Sequence, residues 1–124
     1  MNIALEMAVV DCPRYVLAMP RGEIDAHTGP AFREQLFDVI RARPLIIDMT
    51  EVSFFDCSAL NVIIAAERHC REHGSALALA GLRPGAEQVF RLARAAEIVP
   101  LCSTIQEAVW CVEPLTDEEI ASWS

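Results

Sequence analysis

The residues best suited to chemistry lie in one short run, Phe54-Phe55-Asp56-Cys57-Ser58-Ala59-Leu60, where an apolar segment gives way to a helical pattern. Asp56 fits the N-cap position. Its carboxylate can accept from the amides of residues 58 and 59 and complements the helix dipole. Ser58 then offers a hydroxyl in the first turn, open to modification. The plain reading is an ordinary polar residue, since helix starts are where serine belongs. The neighbouring aromatics favour a docking surface. Alternation turns one of Phe54 and Phe55 inward and leaves the other at least partly exposed. A helix start can also lower a thiol pKa, but Asp56 opposes this at Cys57. Cys57 therefore reads as a small residue packed near the strand end.

Two further patterns carry less. His69-Cys70-Arg71-Glu72-His73 has the His-x-x-Glu-His spacing of one metalloprotease group, with histidines four apart on one helix face. No third ligand follows. Histidines in a last turn before Gly74 also interact with carbonyls and the helix dipole, so no metal is expected. A serine hydrolase is set aside because Ser58 lacks the Gly-x-Ser-x-Gly setting. His69 and His73 also lie 11 and 15 residues beyond it, roughly 16–22 Å along the same helix axis. The five glycines are scattered and form no phosphate loop. Neither an enzyme nor a cofactor is expected.

The elements that must position Ser58 follow from the pattern along the chain. Two strand-like segments, Ile3 to Val10 and Tyr15 to Met19, flank turn residues and predict a hairpin. Pro30 fits the first turn of a helix whose apolar stripe is Phe32, Leu36, Val39 and Ile40. Leu45 to Asp48 reads as a buried strand, followed by a loop and a helix over about Cys57 to His73. At about 100° per residue, Ala59, Leu60, Val62, Ile63, Ala66 and Cys70 turn inward. Ser58 falls on the outer flank with Asn61, Ala65, Arg68 and Glu72, and is expected to be exposed. Ser75 to Ala80 is a further strand. A helix opens at Arg83-Pro84-Gly85, with Val89, Phe90 and Ala93 inward. A strand over Ile98 to Cys102 precedes a capping box, Ser103-Thr104-Ile105-Gln106, and a last helix with the stripe Ile105, Ala108, Val109 and Val112. After the hairpin, strands and helices alternate, the pattern of an α/β domain with a largely parallel sheet.

With 124 residues, one domain is expected over residues 1–113, followed by an acidic extension over 114–124 in which Thr116-Asp117-Glu118-Glu119 could cap one more helical turn. A net charge of −8 argues against nucleic acid. All basic residues are arginine. The charge-free stretches are too short for a membrane span, and the start lacks the basic region of a secretory signal. A cytoplasmic protein with reduced thiols is expected, since its five cysteines form no Cys-x-x-Cys.

From about Tyr15 to Val112 the chain resembles a STAS domain, and within that family a bacterial anti-sigma factor antagonist. The likeness rests on Gly22-Glu23-Ile24-Asp25, the strand Leu45 to Asp48, and the helix start Phe54 to Leu60. It departs at Cys57, where the family has a first serine, and at Ala59, where it has glycine. The resemblance implies a single domain of β-α units, a mixed, mostly parallel sheet of four to five strands with about four helices on one face. It implies that an anti-sigma factor with serine-kinase activity phosphorylates Ser58, that the unmodified form binds this partner and frees the sigma factor, and that a serine phosphatase restores the hydroxyl. Asp25, Phe55, Asp56, Cys57, Ser58 and Asn61 are the expected partner-binding residues. The alternative is an unmodified STAS accessory subunit of a stress-signalling or lipid-transport assembly.

Overall fold

The computed structural model describes residues 5–112 and residue 121. The hairpin forms from β1 (Glu6–Asp11) and β2 (Val16–Ile24), paired antiparallel. There follow α1 (Gly29–Asp38), β3 (Leu45–Asp48), β4 (Val52–Phe55), α2 (Cys57–Glu72), β5 (Leu77–Ala80), α3 (Pro84–Leu92), a 3-10 turn at Ala95–Glu97, β6 (Leu101–Cys102) and α4 (Ile105–Val112). The sheet order is β1-β2-β3-β5-β6, and every pairing after the hairpin is parallel. The start of the predicted first strand and the Thr116–Glu119 turn lie outside the described residues. Among the described residues no helix is long and apolar enough to cross a membrane.

β2 is longer than its hydropathy suggests and, besides β1, serves two partners. Val16, Leu17 and Ala18 pair with Leu45, Ile46 and Ile47 of β3, whereas Gly22, Glu23 and Ile24 pair with Val52, Phe54 and Phe55 of β4. The ladder shifts between Gly22 and Glu23, and Gly22 takes φ +114°, a bulge that glycine permits. The segment expected to be a loop before Ser58 is therefore partly a strand, held by residues thirty positions away.

Alternation along β3 and β5 sorts the helices onto two faces, not one. Leu45, Ile47, Leu77 and Leu79 share a core with Phe32 and Leu36 of α1, Ile63 and Ala66 of α2, and Phe90 of α3. Ile46, Ala78 and Ala80 point the other way and pack against Ala108 and Val112 of α4. Strands apolar at every position need cover on both sides, and α4 supplies the second cover.

Ends differ from expectation in ways local chemistry explains. The cap of α4 is one residue further on than expected. The Thr104 hydroxyl accepts from the Glu107 amide at 3.1 Å, and the Glu107 carboxylate accepts from the Ser103 amide at 2.9 Å. α3 stops at Leu92 and leaves Ala93 exposed, because Arg94 turns to φ +60° and starts the 3-10 turn. Ile98 and Val99 then donate their amides back to Ala95 O at 2.9 Å, so of the expected strand only Leu101 and Cys102 remain in the sheet. α2 ends as read, closed by Gly74 N donating to Arg71 O and Ser75 N to Cys70 O.

Candidate functional site

Register brings the two sequence-separated acids together. Ile24 and Phe55 are partners at the last rung of the β2–β4 ladder, so Asp25 and Asp56 leave neighbouring strand ends side by side. The amide of Asp56 donates to Ile24 O at 3.4 Å and ties the two exits. Each carboxylate then organises its own turn. Asp25 accepts from the amides of His27 at 2.9 Å and Thr28 at 3.0 Å, while the Thr28 hydroxyl donates back to Glu23 O at 2.8 Å. Asp56 accepts from Ser58 N at 2.8 Å and Ala59 N at 3.4 Å as the N-cap of α2. A cap of this kind stabilises by about 0.5–2 kcal/mol.

The turn amides, that of Thr28 first, hold the Asp25 carboxyl below its ordinary value of 3.8, against the smaller opposing effect of desolvation. A carboxyl lowered on folding stabilises the fold above its unfolded pKa and loses that contribution as pH falls through its folded value. The Asp25 carboxyl is thus expected to titrate with a midpoint below 3.8 by NMR. Asp25→Asn should remove the part of the acid-stability curve that falls in that window. A midpoint at or above 3.8 would contradict the turn geometry.

Ser58 lies between two helix starts. A Cβ placed on Gly29, the first residue of α1, would stand 3.8 Å from the Ser58 Cβ. α1 therefore covers part of the serine, which is half-buried and not fully exposed as its helical phase suggests. Asn61, one turn on, is exposed. Cys57 is exposed too and is not the packed residue expected. Ala59 is fully buried, so the methyl that replaces the family's glycine belongs to the core and leaves the outer surface clear.

The aromatic pair divides as alternation requires, but Phe55 is the inward member. It is 8% exposed, its ring stacked on Phe90 with centroids 5.2 Å apart. Phe54 is 50% exposed. The placement of Phe55 among surface residues is thereby corrected, because the rung with Ile24 turns its side chain into the core. Phe54 borders an open groove of about 390 Å³ lined also by Val52, Ser53, Arg83, Gly85 and Ala86. Arg83 reaches the Thr50 carbonyl at 3.4 Å. Its place beside Phe54 escapes sequence reading because it depends on the packing of α3 against β4.

The histidine pair is occupied otherwise. The His69 ring lies 5.1 Å from Phe37 and 4.4 Å from His73, and His73 Nδ1 meets the His69 carbonyl at 2.8 Å. Among the described residues no three His, Cys, Asp or Glu side chains are gathered as a metal site would require.

What the geometry offers is a surface: a hydroxyl between two helix starts, a capping carboxylate and a turn-forming one, an exposed thiol and amide, and a ring beside a groove. The STAS domain model matches residues 7–108. The anti-sigma-B factor antagonist of Listeria monocytogenes is 33% identical over 103 residues, covering 82% of this chain and 90% of the relative. The fold matches a solved anti-sigma factor antagonist from Thermotoga maritima with TM-score 0.78 and 23% identity, over 86% of this chain and 93% of that one. It also matches a Bacillus cell fate determinant solved in its phosphorylated form, with TM-score 0.64 and 19% identity, over 86% and 96% of the two chains. These two structural likenesses are of fold alone. On the sequence match, which spans both strand exits and both helix starts, the chain belongs to the STAS domain family.

Proposed function

We propose that this chain is an anti-sigma factor antagonist, a cytoplasmic binding module and not an enzyme. Its surface of Asp25, Asp56, Cys57, Ser58 and Asn61, extended by Phe54, receives an anti-sigma factor with serine-kinase activity. The observation that carries the reading is Ser58 itself, half-buried beside Gly29 and two residues beyond a capping carboxylate. The name of the Listeria relative supports the class of partner.

Binding by the unmodified form frees the sigma factor. The partner kinase then transfers the γ-phosphoryl group of ATP to Ser58 Oγ, ADP leaves, and a phosphatase later restores the hydroxyl. The phosphate adds about −1.5 to −2 charge. The start of α2 favours that charge, while Asp56 opposes it. With these local effects partly cancelling, the fold stays and the interface changes. A neutral, half-buried hydroxyl becomes a strongly hydrated anion that no longer packs.

Incubation with ATP and the partner kinase is expected to add one phosphate by intact mass, and Ser58→Ala to abolish it. Ser58→Asp should weaken partner binding at least tenfold with an unchanged circular dichroism spectrum. A collapsed spectrum would sink the interface mechanism. Full binding without any phosphate added would favour the unmodified accessory subunit.

A further inference from the structure

Cys102 and Cys111 bring their sulfurs within 3.6 Å of each other. Neither backbone reaches this position through a loose loop. Cys102 closes β6 opposite Ala80, its carbonyl accepting from Gly81 N at 3.0 Å. Cys111 lies in the last turn of α4, a helix fixed at its start by the Thr104–Glu107 cap and at its end by buried Val112. Cys102 is half-buried against the α4 side of the sheet, whereas Cys111 is exposed. The other thiols are set differently: Cys57 is exposed at the start of α2, Cys70 is buried in α2, and Cys12 lies in the hairpin turn.

We propose that Cys102 and Cys111 are a dithiol–disulfide couple, a modification site for hydroperoxides that staples the β6 edge of the sheet to α4. A disulfide needs sulfurs about 2.05 Å apart, so the pair must close by about 1.5 Å, within reach of side-chain rotation. The Cys111 sulfur, which solvent reaches, attacks the peroxide oxygen. The O–O bond breaks and the Cys111 thiol proton passes to the departing oxygen, giving a sulfenic acid and the reduced fragment of the peroxide, which is water when the oxidant is hydrogen peroxide. The Cys102 sulfur then attacks the Cys111 sulfur and forms the S–S bond. Its proton leaves with the sulfenic hydroxyl as water. Two thiols lose two electrons and the peroxide gains them. Burial and the neighbouring Cys111 sulfur push the Cys102 thiol up to about 11. This makes it a poor first target; in the second step the sulfenic acid is held beside it, so the short distance and not its acidity carries the attack. The site is on the face of the sheet opposite α1 and α2, and its chemistry is independent of the role of Ser58.

The test uses the full chain treated with hydrogen peroxide at neutral pH, then N-ethylmaleimide. Cleavage after Glu107 separates the two cysteines, so a disulfide holds the two peptides together with a loss of two hydrogens. The expected result is that link alone, reversed by dithiothreitol and absent from Cys102→Ser and Cys111→Ser. The oxidised protein should also melt roughly 5–10 °C higher, a rise that Cys111→Ser lacks. Sulfinic acid on Cys111 with Cys102 still alkylated, or disulfides between molecules through Cys57 or Cys12, would overturn the proposal.

Discussion

Phe55→Ala is expected to cost about 3–5 kcal/mol of folding stability, a fall in Tm of roughly 10–20 °C. Phe54→Ala should leave stability within about 0.5 kcal/mol. The two rings are adjacent in sequence and chemically identical, so only their environments separate them. Phe55 stacks on fully buried Phe90 and ends the rung with Ile24; removing it opens a cavity under the start of α2. Phe54 stands half in solvent beside the groove of Val52, Arg83 and Ala86. If that groove belongs to the partner surface, Phe54→Ala should lower partner affinity about 10–30-fold, equivalent to about 1.4–2 kcal/mol. Thermal melts and a binding titration of the two variants provide the check. A destabilised Phe54→Ala beside a stable Phe55→Ala would reverse the assignment.

Gly81→Ala is expected to destabilise by about 2–4 kcal/mol, read as a lower denaturation midpoint. Gly81 follows β5 with φ +71°, where a Cβ costs about 1–2 kcal/mol. That Cβ would also meet the Thr50 hydroxyl and stand 3.1 Å from Asp48 Oδ1. These are the atoms of the turn that carries the chain from β3 to β4, in which Asp48 accepts from Thr50 N at 3.1 Å. Moving them disturbs both the turn and the bond from Gly81 N to Cys102 O. Gly85→Ala is the control. It is helical, exposed and free of neighbours within 4 Å, so stability should hold or rise by up to about 1 kcal/mol. Equal effects of the two substitutions would remove the steric explanation.

The sequence made legible what local pattern determines. Leu45 to Asp48, the span of α2 and the cap by Asp56 rest on adjacent residues, and the structure has all three. β4 was hidden because Val52-Ser53-Phe54-Phe55 is buried only at its two ends, which is no strand alternation. Its pairing with Gly22 to Ile24 makes it a strand. The same non-local contact brings Asp25 beside Asp56, a juxtaposition that neither segment carries alone. Half-burial of Ser58 likewise depends on Gly29, and helical phase cannot supply it. The placement of α4 on the second face was not read: about four helices on one face were expected, although Leu45-Ile46-Ile47 is apolar on both sides and needs the cover that α4 supplies. The capping box slipped by one residue because Ser103–Gln106 and Thr104–Glu107 both satisfy the pattern, and geometry chose the second.

The last rung of the β2–β4 ladder has a kinetic meaning. Because Ile24 and Phe55 lock the two strand exits together, and each exit is pinned at once by its own carboxylate, the surface proposed to receive the partner is already formed in the free chain. Docking then freezes few backbone torsions, and little conformational entropy is lost on association. For a preorganised surface of this kind the encounter rate changes little from variant to variant, and differences in affinity emerge as differences in residence time. On the proposed function, a phosphate on Ser58 would act as a timer on the complex, shortening how long each partner stays.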